Sequence, residues 1–239
     1  MDWRDPTQFA LLEPLLKPAL RARLVLPSRS VSAPRYGGVP AGIAGEAWPK
    51  CDQCAGALTF FAQFPAHDQL WRFFWCRACK EGGSGAASAL LPLPLTSDFV
   101  PHPQAGVLAS PLIPREWVLE PVMTVPFDQE LEGMDPAAGD GVAALVEMAE
   151  ESEDDYRQSL RTLSERGVDV QESTRIGGYA NPLQDPIVVA CPACARPMPF
   201  LARLASHDDI RWEWGDMGFM FLHVCPAHLQ HFHAEIQSL

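Results

Sequence analysis

Three features are absent or scarce in this 239-residue sequence, and each of them argues against a class of protein. No window approaches the roughly eighteen uninterrupted apolar residues that a membrane-spanning helix needs. Basic residues are scarce, 18 against 30 acidic ones, and the formal net charge of −12 disfavours a protein that binds the phosphate backbone of nucleic acids. No export signal is recognisable, because Lys17, Arg21 and Arg23 interrupt the first apolar stretch, so we expect a cytoplasmic protein.

Cysteine and proline are the informative residues that are present. The 23 prolines favour loops and strand ends over long helices. Six of the seven cysteines form C-x-x-C pairs, which in a reducing compartment indicate metal binding or redox chemistry rather than disulfides. A thioredoxin-like βαβ pattern surrounds none of these pairs, and this disfavours the redox interpretation.

The sequence repeats itself at an offset of 140 residues. Between positions 35 and 68, ten of 34 residues are identical to those at positions 175–208, without a gap. The shared residues include a Gly-Gly pair, which we interpret as a positive-φ turn, and a C-x-x-C pair. Such self-similarity indicates a duplicated structural unit. In each unit two short apolar strands separate the ligand turns, namely Leu58–Phe64, Leu70–Trp75, Met198–Leu204 and Gly218–Val224.

This pattern predicts an α+β fold that is mostly β, with two pseudo-symmetric β-rich repeats, each carrying a zinc-ribbon-like hairpin, and a few helices. We divide the chain into an N-terminal helical segment (1–34), a first repeat (35–82), a connecting segment (83–168) and a second repeat (169–239). The two repeats are expected to pack as one unit. The other predicted elements are helices over Thr7–Leu24 and Asp140–Gly167, a strand over Trp117–Val125, and loops over Glu81–Ser88 and Leu91–Pro114.

The spacing of the cysteines predicts two zinc sites. A structural zinc ion prefers four thiolate or imidazole ligands, which tight turns deliver in pairs. In the second unit, the turn Cys225-Pro226-Ala227-His228 places His228 at the position that Cys79 has in the first. The predicted ligands are Cys51, Cys54, Cys76 and Cys79 for the first ion, and Cys191, Cys194, Cys225 and His228 for the second.

Two alternatives to this ligand set remain open. The cysteines could be buried without a metal, because a free cysteine packs as a small hydrophobic residue. His231, His233 or His223 could replace His228, although the first two lack the turn spacing and His223 falls inside a predicted strand. Four-ligand sites are closed, so we expect both ions to be structural and predict no catalytic and no cofactor-binding residue.

Several motifs resemble those of one group of families. The first unit contains Tyr36-Gly37-Gly38-Val39-Pro40 and Cys51-Asp52-Gln53-Cys54, and the second contains Ile176-Gly177-Gly178-Tyr179 and Trp214-Gly215-Asp216. These motifs resemble the YwqG-like family, a bacterial domain of unknown function, and the related programmed cell death protein 2 family. The resemblance implies a duplicated β-rich core and no enzymatic activity. It also implies a role as a chaperone for a ribosomal protein or as an immunity protein that neutralises a toxin.

The sequence therefore favours a non-enzymatic, zinc-stabilised module whose acidic surface captures a basic protein, either a ribosomal-protein-like client or a toxin. An acidic run at 150–155 fits a solvated helix face or a partner-binding patch. One alternative is a hydrolytic or nucleic-acid-processing enzyme that uses His207-Asp208-Asp209, or Asp216 with His223, as the acid and base; the equivalent pair His67-Asp68 suits a turn. The other is nucleic-acid binding by a basic cluster of Lys50, Arg72, Arg77 and Lys80.

Overall fold

A computed structural model describes the protein over residues 5–28, 30–79, 87–104, 110–131, 134, 140–151, 158–170 and 173–238. Within these ranges the strands are β1 (Lys17–Val25), β2 (Arg35–Tyr36), β3 (Ala41–Gly42), β4 (Thr59–Ala66), β5 (Gln69–Trp75), β6 (Ser88–Pro94), β7 (Val100–Pro101), β8 (Arg115–Thr124), β9 (Arg175–Gly177), β10 (Phe200–Ala205), β11 (Phe219–Cys225) and β12 (His228–Gln237). The helices are α1 (Pro6–Leu12), α2 (Asp128–Leu131) and α3 (Asp140–Glu151), with short 3-10 segments at Glu13–Leu15, Arg161–Arg166 and Asp208–Ile210. None of these helices is both long enough and apolar enough to cross a bilayer. The predicted class, mostly β with a few helices, is confirmed.

Ten strands form one antiparallel sheet in the order β12-β11-β10-β9-β1-β8-β2-β4-β5-β6. Read outward from the central β1–β8 pair, the two halves contain equivalent strands, so the order is palindromic. The register obeys the same relation, since Arg35 faces Gln63 across β2 and β4 while Arg175 faces Arg203 across β9 and β10. Both hairpins also carry a bulge at the same relative position. The repeat in the sequence is therefore a pseudo-two-fold repeat of the structure.

The two halves exchange their first strands. β1 precedes the first repeat in the chain but pairs with β9 of the second, while β8 precedes the second repeat and pairs with β2 of the first. β1 and β8 also pair with each other, from Lys17 opposite Thr124 to Val25 opposite Glu116. At the outer ends β6 and β12 approach each other, so the sheet is nearly closed. The exchange joins the repeats into one continuous sheet.

Aromatic side chains from both repeats meet inside this sheet. Trp214 belongs to the segment by which the second repeat is longer than the first, and it is 1% exposed. Its ring centroid lies 4.5 Å from that of Phe61 and 5.7 Å from that of Trp75, both in the first repeat. The inserted segment therefore contributes Trp214 to the shared core, and this residue of the Trp214-Gly215-Asp216 motif has a role in the fold.

The predicted N-terminal helix over Thr7–Leu24 is wrong in its second half. Helix α1 ends at Leu12, and strand β1 begins at Lys17. Pro18 cannot donate a helix hydrogen bond, whereas the strand gains hydrogen bonds to a neighbour on each side. Tertiary pairing thus determines the conformation of this half of the predicted helix.

The predicted loop over Leu91–Pro114 is also wrong at its start, where β6 continues to Pro94, and at Val100–Pro101, which forms β7. β6 pairs with β5 along its whole length and contains two prolines. A strand at the edge of a sheet tolerates proline because one row of its N–H groups has no ladder partner. Most of the other predicted loop, Glu81–Ser88, lies outside the described residues.

The other predicted elements agree with the structure where it describes them. The four hairpin strands are β4, β5, β10 and β11, and the strand predicted over Trp117–Val125 corresponds to β8, which ends at Thr124. The helix predicted over Asp140–Gly167 is α3 as far as Glu151, and Gly167, at φ 75°, caps a 3-10 segment at its end. Residues 152–157, with most of the acidic run, lie outside the described residues. Positive φ angles occur at both glycine pairs, Gly37, Gly38, Gly177 and Gly178.

Removal of the Trp214 ring should destabilise the whole fold. A Trp214→Ala variant is expected to lose about 3–5 kcal/mol of the free energy of unfolding, because it leaves a cavity between the repeats. Chemical denaturation followed by circular dichroism measures this loss. Met217→Ala, in the same segment but 57% exposed, is the matched control and should change the free energy by less than about 0.5 kcal/mol. Equal losses in the two variants would contradict the place of Trp214 in the shared core.

Candidate metal centres

A tight backbone turn presents the first two cysteines of each site. In the first repeat, Cys51 N–H donates to the carbonyl of Gly56 at 2.8 Å, and Ala55 N–H donates to the carbonyl of Cys51 at 2.8 Å. Ala55 adopts a left-handed φ of 56°. The turn at Cys191 in the second repeat has the same two hydrogen bonds, and Ala195 has the same φ. Both C-x-x-C turns therefore have one backbone conformation.

The hairpins bring the second ligand pair of each site to the first. Each C-x-x-C turn precedes β4 or β10, and each second pair lies at the end of β5 or β11, the antiparallel partners of those strands. Because the start of one hairpin strand lies beside the end of the other, the two pairs meet at the same end. Bridges between Lys50 and Ala57, and between Ala190 and Pro197, close the turns in both repeats.

Four sulfur atoms form the first site. Cys51 Sγ lies 3.9 Å from Cys79 Sγ, and Cys54 Sγ lies 3.7 Å from Cys76 Sγ. A tetrahedral ion with metal–sulfur bonds of about 2.3 Å separates its sulfur ligands by about 3.8 Å. A disulfide needs about 2.05 Å, and all seven cysteines are free. The distances therefore fit a zinc-type tetrahedron and exclude disulfide pairs.

Three sulfur atoms and one imidazole nitrogen form the second site. His228 Nδ1 lies 3.7 Å from Cys191 Sγ and 3.6 Å from Cys225 Sγ, and Cys194 Sγ lies 3.7 Å from Cys225 Sγ. In both groups the donor atoms lie within 4.8 Å of one another. Each group could therefore hold a metal ion, and the structure brings together all eight residues that the spacing predicted.

A second histidine lies beside the second site. His231 Nδ1 is 3.3 Å from Cys191 Sγ, and its ring stacks on that of His228 with 5.6 Å between the centroids. His228 completes the group of four donors, so we interpret His231 as a hydrogen-bond partner of the Cys191 sulfur. The two other histidines considered as ligands have different partners, the Met198 carbonyl for His223 and Glu235 for His233.

Backbone N–H groups lower the pKa of one thiol in each site, whereas burial raises the pKa of another. In the first site, the Cys54 backbone N–H is the main cause that lowers the pKa of Cys51 to about 7. In the second site, the backbone N–H of Arg196 and then its guanidinium lower the pKa of Cys194 to about 6. Burial raises the pKa of the third cysteine of each site, Cys76 and Cys225. Each site thus combines one thiol whose pKa is lowered with one whose pKa is raised.

The histidine–aspartate pairs lie in the turns of the two hairpins. His67 and Asp68 form the tip of the β4–β5 hairpin, with φ angles of 49° and 58°. His207 accepts a hydrogen bond of 3.1 Å from the backbone two residues further on and caps the 3-10 segment there. Among the residues that the structure describes, no third group of three or more His, Cys, Asp and Glu side chains is arranged as a metal site.

The basic cluster beside the first site is smaller than the sequence predicts. Arg72 is 1% exposed and forms a bidentate ion pair with Glu46, with both N–O distances at 2.7 Å. Lys80 lies outside the described residues, while Lys50 and Arg77 are exposed. Arg72 is therefore neutralised inside the sheet, and its assignment to a nucleic-acid-binding patch is wrong.

Comparison with known proteins gives a family but no function. A family model described as a domain of unknown function (DUF1963) matches residues 65–233. No curated protein matches the chain. The matched region begins within β4, so it includes the second cysteine pair of the first site and the whole of the second site.

Substitution of a single ligand in either repeat should remove the ion of that repeat and leave the ion of the other. We expect the purified protein to contain two zinc ions, and Cys54→Ser and Cys194→Ser to contain one each, because serine replaces a thiolate donor. Elemental analysis combined with native mass spectrometry counts the ions. A wild-type protein without bound metal, or two variants that both keep two ions, would remove the basis for these sites.

The two stacked histidines should differ in their effect on the second site. His228→Ala removes a donor and should weaken metal binding by more than about 100-fold, whereas His231→Ala removes an outer hydrogen bond and should weaken it by about 10–100-fold at most. His228→Cys should keep the ion, because Cys79 stands at the equivalent position. Competition with a chelator of known affinity measures all three. The reverse order of the alanine variants would assign the fourth ligand to His231.

Proposed function

Because the chain belongs to the DUF1963 family, a family without a known function, we propose a function from its own residues. The protein is a non-enzymatic, zinc-stabilised module that captures a basic protein partner. Both metal groups have four donors, which leaves no open position for water or substrate. Closed sites of this kind stabilise a fold, since the free energy of metal binding adds to that of folding. We therefore assign the two sites to stability and the function to the surface.

An exposed acidic segment in the second repeat is the observation that supports this proposal most. Asp208, Asp209, Glu213 and Asp216 are all exposed, and they lie within nine residues of the chain. Trp214, 1% exposed, anchors the segment in the core, so that its shape is fixed before a partner binds. Most of the segment belongs to the insertion that the first repeat lacks. The second repeat thus carries a preformed acidic surface.

The charge of the whole chain supports a basic partner. The formal net charge is −12. Zinc does not offset it, because an ion held by four thiolates has a net charge of about −2 and one held by three thiolates and an imidazole about −1. Complementary charge accelerates association with a basic surface and disfavours acidic competitors, including nucleic acids. Beside the acidic segment, Met217 is 57% exposed and offers an apolar contact.

The proposal includes a relationship to the YwqG-like and programmed cell death protein 2 families, inferred from the shared glycine and cysteine motifs. This relationship favours either a chaperone for a ribosomal protein or an immunity protein that neutralises a toxin. Both roles need a stable acidic surface that holds a basic client, and neither needs a catalytic centre. The position of the gene distinguishes them, because an adjacent toxin gene is expected for an immunity protein.

Neutralisation of three carboxylates in the acidic segment should weaken partner capture. In affinity purification from the native host, the wild-type protein is expected to enrich one defined basic protein that binds saturably. A triple variant, Asp208→Asn, Asp209→Asn and Asp216→Asn, should bind that protein about tenfold more weakly or worse, because it loses the complementary charge. Titration of the purified partner at two salt concentrations measures the loss and its electrostatic origin.

A triple variant on helix α3 is the matched control. Glu147→Gln, Glu150→Gln and Glu151→Gln remove the same number of exposed charges from outside the acidic segment and should leave binding within about twofold. Equal losses in both triple variants would show that net charge, and not the acidic segment, holds the partner. Failure of the wild-type protein to enrich any saturable basic partner would exclude the proposed function.

A further inference from the structure

Because the two repeats are related by a pseudo-two-fold axis, residues at equivalent positions can be compared directly. In the first repeat, the ring centroids of Phe60 and Phe74 lie 5.5 Å apart, with 61° between the ring planes. At the equivalent positions of the second repeat, the centroids of Phe200 and His223 lie 5.7 Å apart, with 66° between the planes. The two pairs share one geometry, and a histidine replaces one phenylalanine.

A tryptophan covers this ring pair in the first repeat. The ring of Trp48 lies 5.4 Å from that of Phe74, and its Nε1–H donates to the carbonyl of Leu58 at 2.6 Å. Trp48 is 6% exposed and packs in the same cluster as buried cysteines of the first site. In the second repeat the equivalent residue is Val188, which is 83% exposed. The valine therefore does not replace the buried indole.

A cavity of about 410 Å³ opens in the second repeat at the place that the indole fills in the first. Its lining includes Val188, Met198, Phe200 and His223, the equivalents of the residues that form and surround the Trp48 site. Tyr179 adds a further aromatic wall. The volume lies in the range of about 300–1,000 Å³ that is usual for small-ligand sites.

One buried polar atom of this lining has no partner. The carbonyl of Met198 can only accept a hydrogen bond, so His223 Nδ1, 3.2 Å away, donates to it. The opposite ring nitrogen, Nε2, is buried and has no hydrogen-bond partner within the described part of the chain. His223 as a whole is 4% exposed. A buried acceptor of this kind destabilises the protein until a donor reaches it.

Two charged side chains that line the cavity, Lys17 and Glu130, already have interaction partners. Lys17 Nζ lies 3.8 Å from the ring centroid of Tyr179, in a cation–π contact. Glu130 accepts four hydrogen bonds, which come from N–H groups of Phe127, Ala180 and Asn181. Within the described lining, His223 Nε2 is the buried side-chain polar atom that has no hydrogen-bond partner.

We propose that this cavity is a binding site for an indole-class group, a planar aromatic ring that carries an N–H donor. The ring lies against Phe200 and His223, in the place that Trp48 fills beside Phe60 and Phe74. Its N–H donates to His223 Nε2 and not to the carbonyl of residue 198, because His223 Nδ1 already donates to that carbonyl. This site is separate from the capture of a basic partner and does not depend on it. The same chemistry is offered by a free indole compound and by a tryptophan side chain of another protein.

Titration calorimetry of the zinc-loaded protein with indole and 1-methylindole tests the site. Indole should bind saturably, and 1-methylindole should bind roughly tenfold more weakly because it has no N–H to donate. His223→Phe, which installs the residue of the first repeat, should bind the two compounds equally. Val188→Trp should abolish binding, because it supplies the indole that the cavity lacks. Leu26→Trp, at a residue that is 78% exposed and outside the cavity, is the matched control and should bind as the wild type does.

An acetylated and amidated Gly-Trp-Gly peptide distinguishes the two sources. Tighter binding of the peptide than of indole assigns a tryptophan of another protein, whereas binding of indole alone assigns a free compound. No saturable binding of indole to the wild-type protein would overturn the inference. So would a folded Val188→Trp variant, with two ions bound, that binds indole as tightly as the wild type. If the wild type and His223→Phe show the same ratio of indole affinity to 1-methylindole affinity, His223 Nε2 does not accept the hydrogen bond.

Discussion

Four donor atoms meet within 4.8 Å of one another at the end of each hairpin, and two of them in each site belong to buried cysteines. Thiolates held this closely repel one another in a protein interior unless a cation lies between them. With a metal bound, the turn before the first hairpin strand is tied to the end of the second strand. This clamp fixes the hairpins, and the exchanged strands β1 and β8 join the two clamped hairpins into one sheet.

The two repeats keep one backbone but have diverged in what they contain. The C-x-x-C turns, the strand register and the hairpin bulges are shared. The differences give the second repeat its exposed acidic segment and its open cavity, whereas the first is closed by a buried indole. The first repeat therefore has a structural character, and the features that suit binding lie in the second. At three equivalent positions the first repeat has Trp48, Phe74 and Cys79, and the second has Val188, His223 and His228.

The sequence predicts those features that depend on local spacing. The two ligand groups follow from C-x-x-C turns and from one offset of 140 residues, and the hairpin strands follow from short apolar runs between them. Features that depend on distant partners could not be read in this way. Lys17–Val25 becomes a strand only because β8 and β9 flank it, and Arg72 is neutralised only because Glu46 reaches it. The alignment of Val188 with Trp48 is visible in the sequence, but the unpartnered nitrogen of His223 is not.

X-ray absorption spectroscopy at the zinc edge of the purified protein tests the central claim most directly. Two closed sites, one with four sulfur donors and one with three sulfur donors and an imidazole, predict an average shell of about 3.5 sulfur and 0.5 nitrogen atoms per ion. The sulfur atoms are expected at about 2.3 Å. A shell with a water oxygen, or with two or fewer sulfur atoms per ion, would contradict the closed, structural character of both sites.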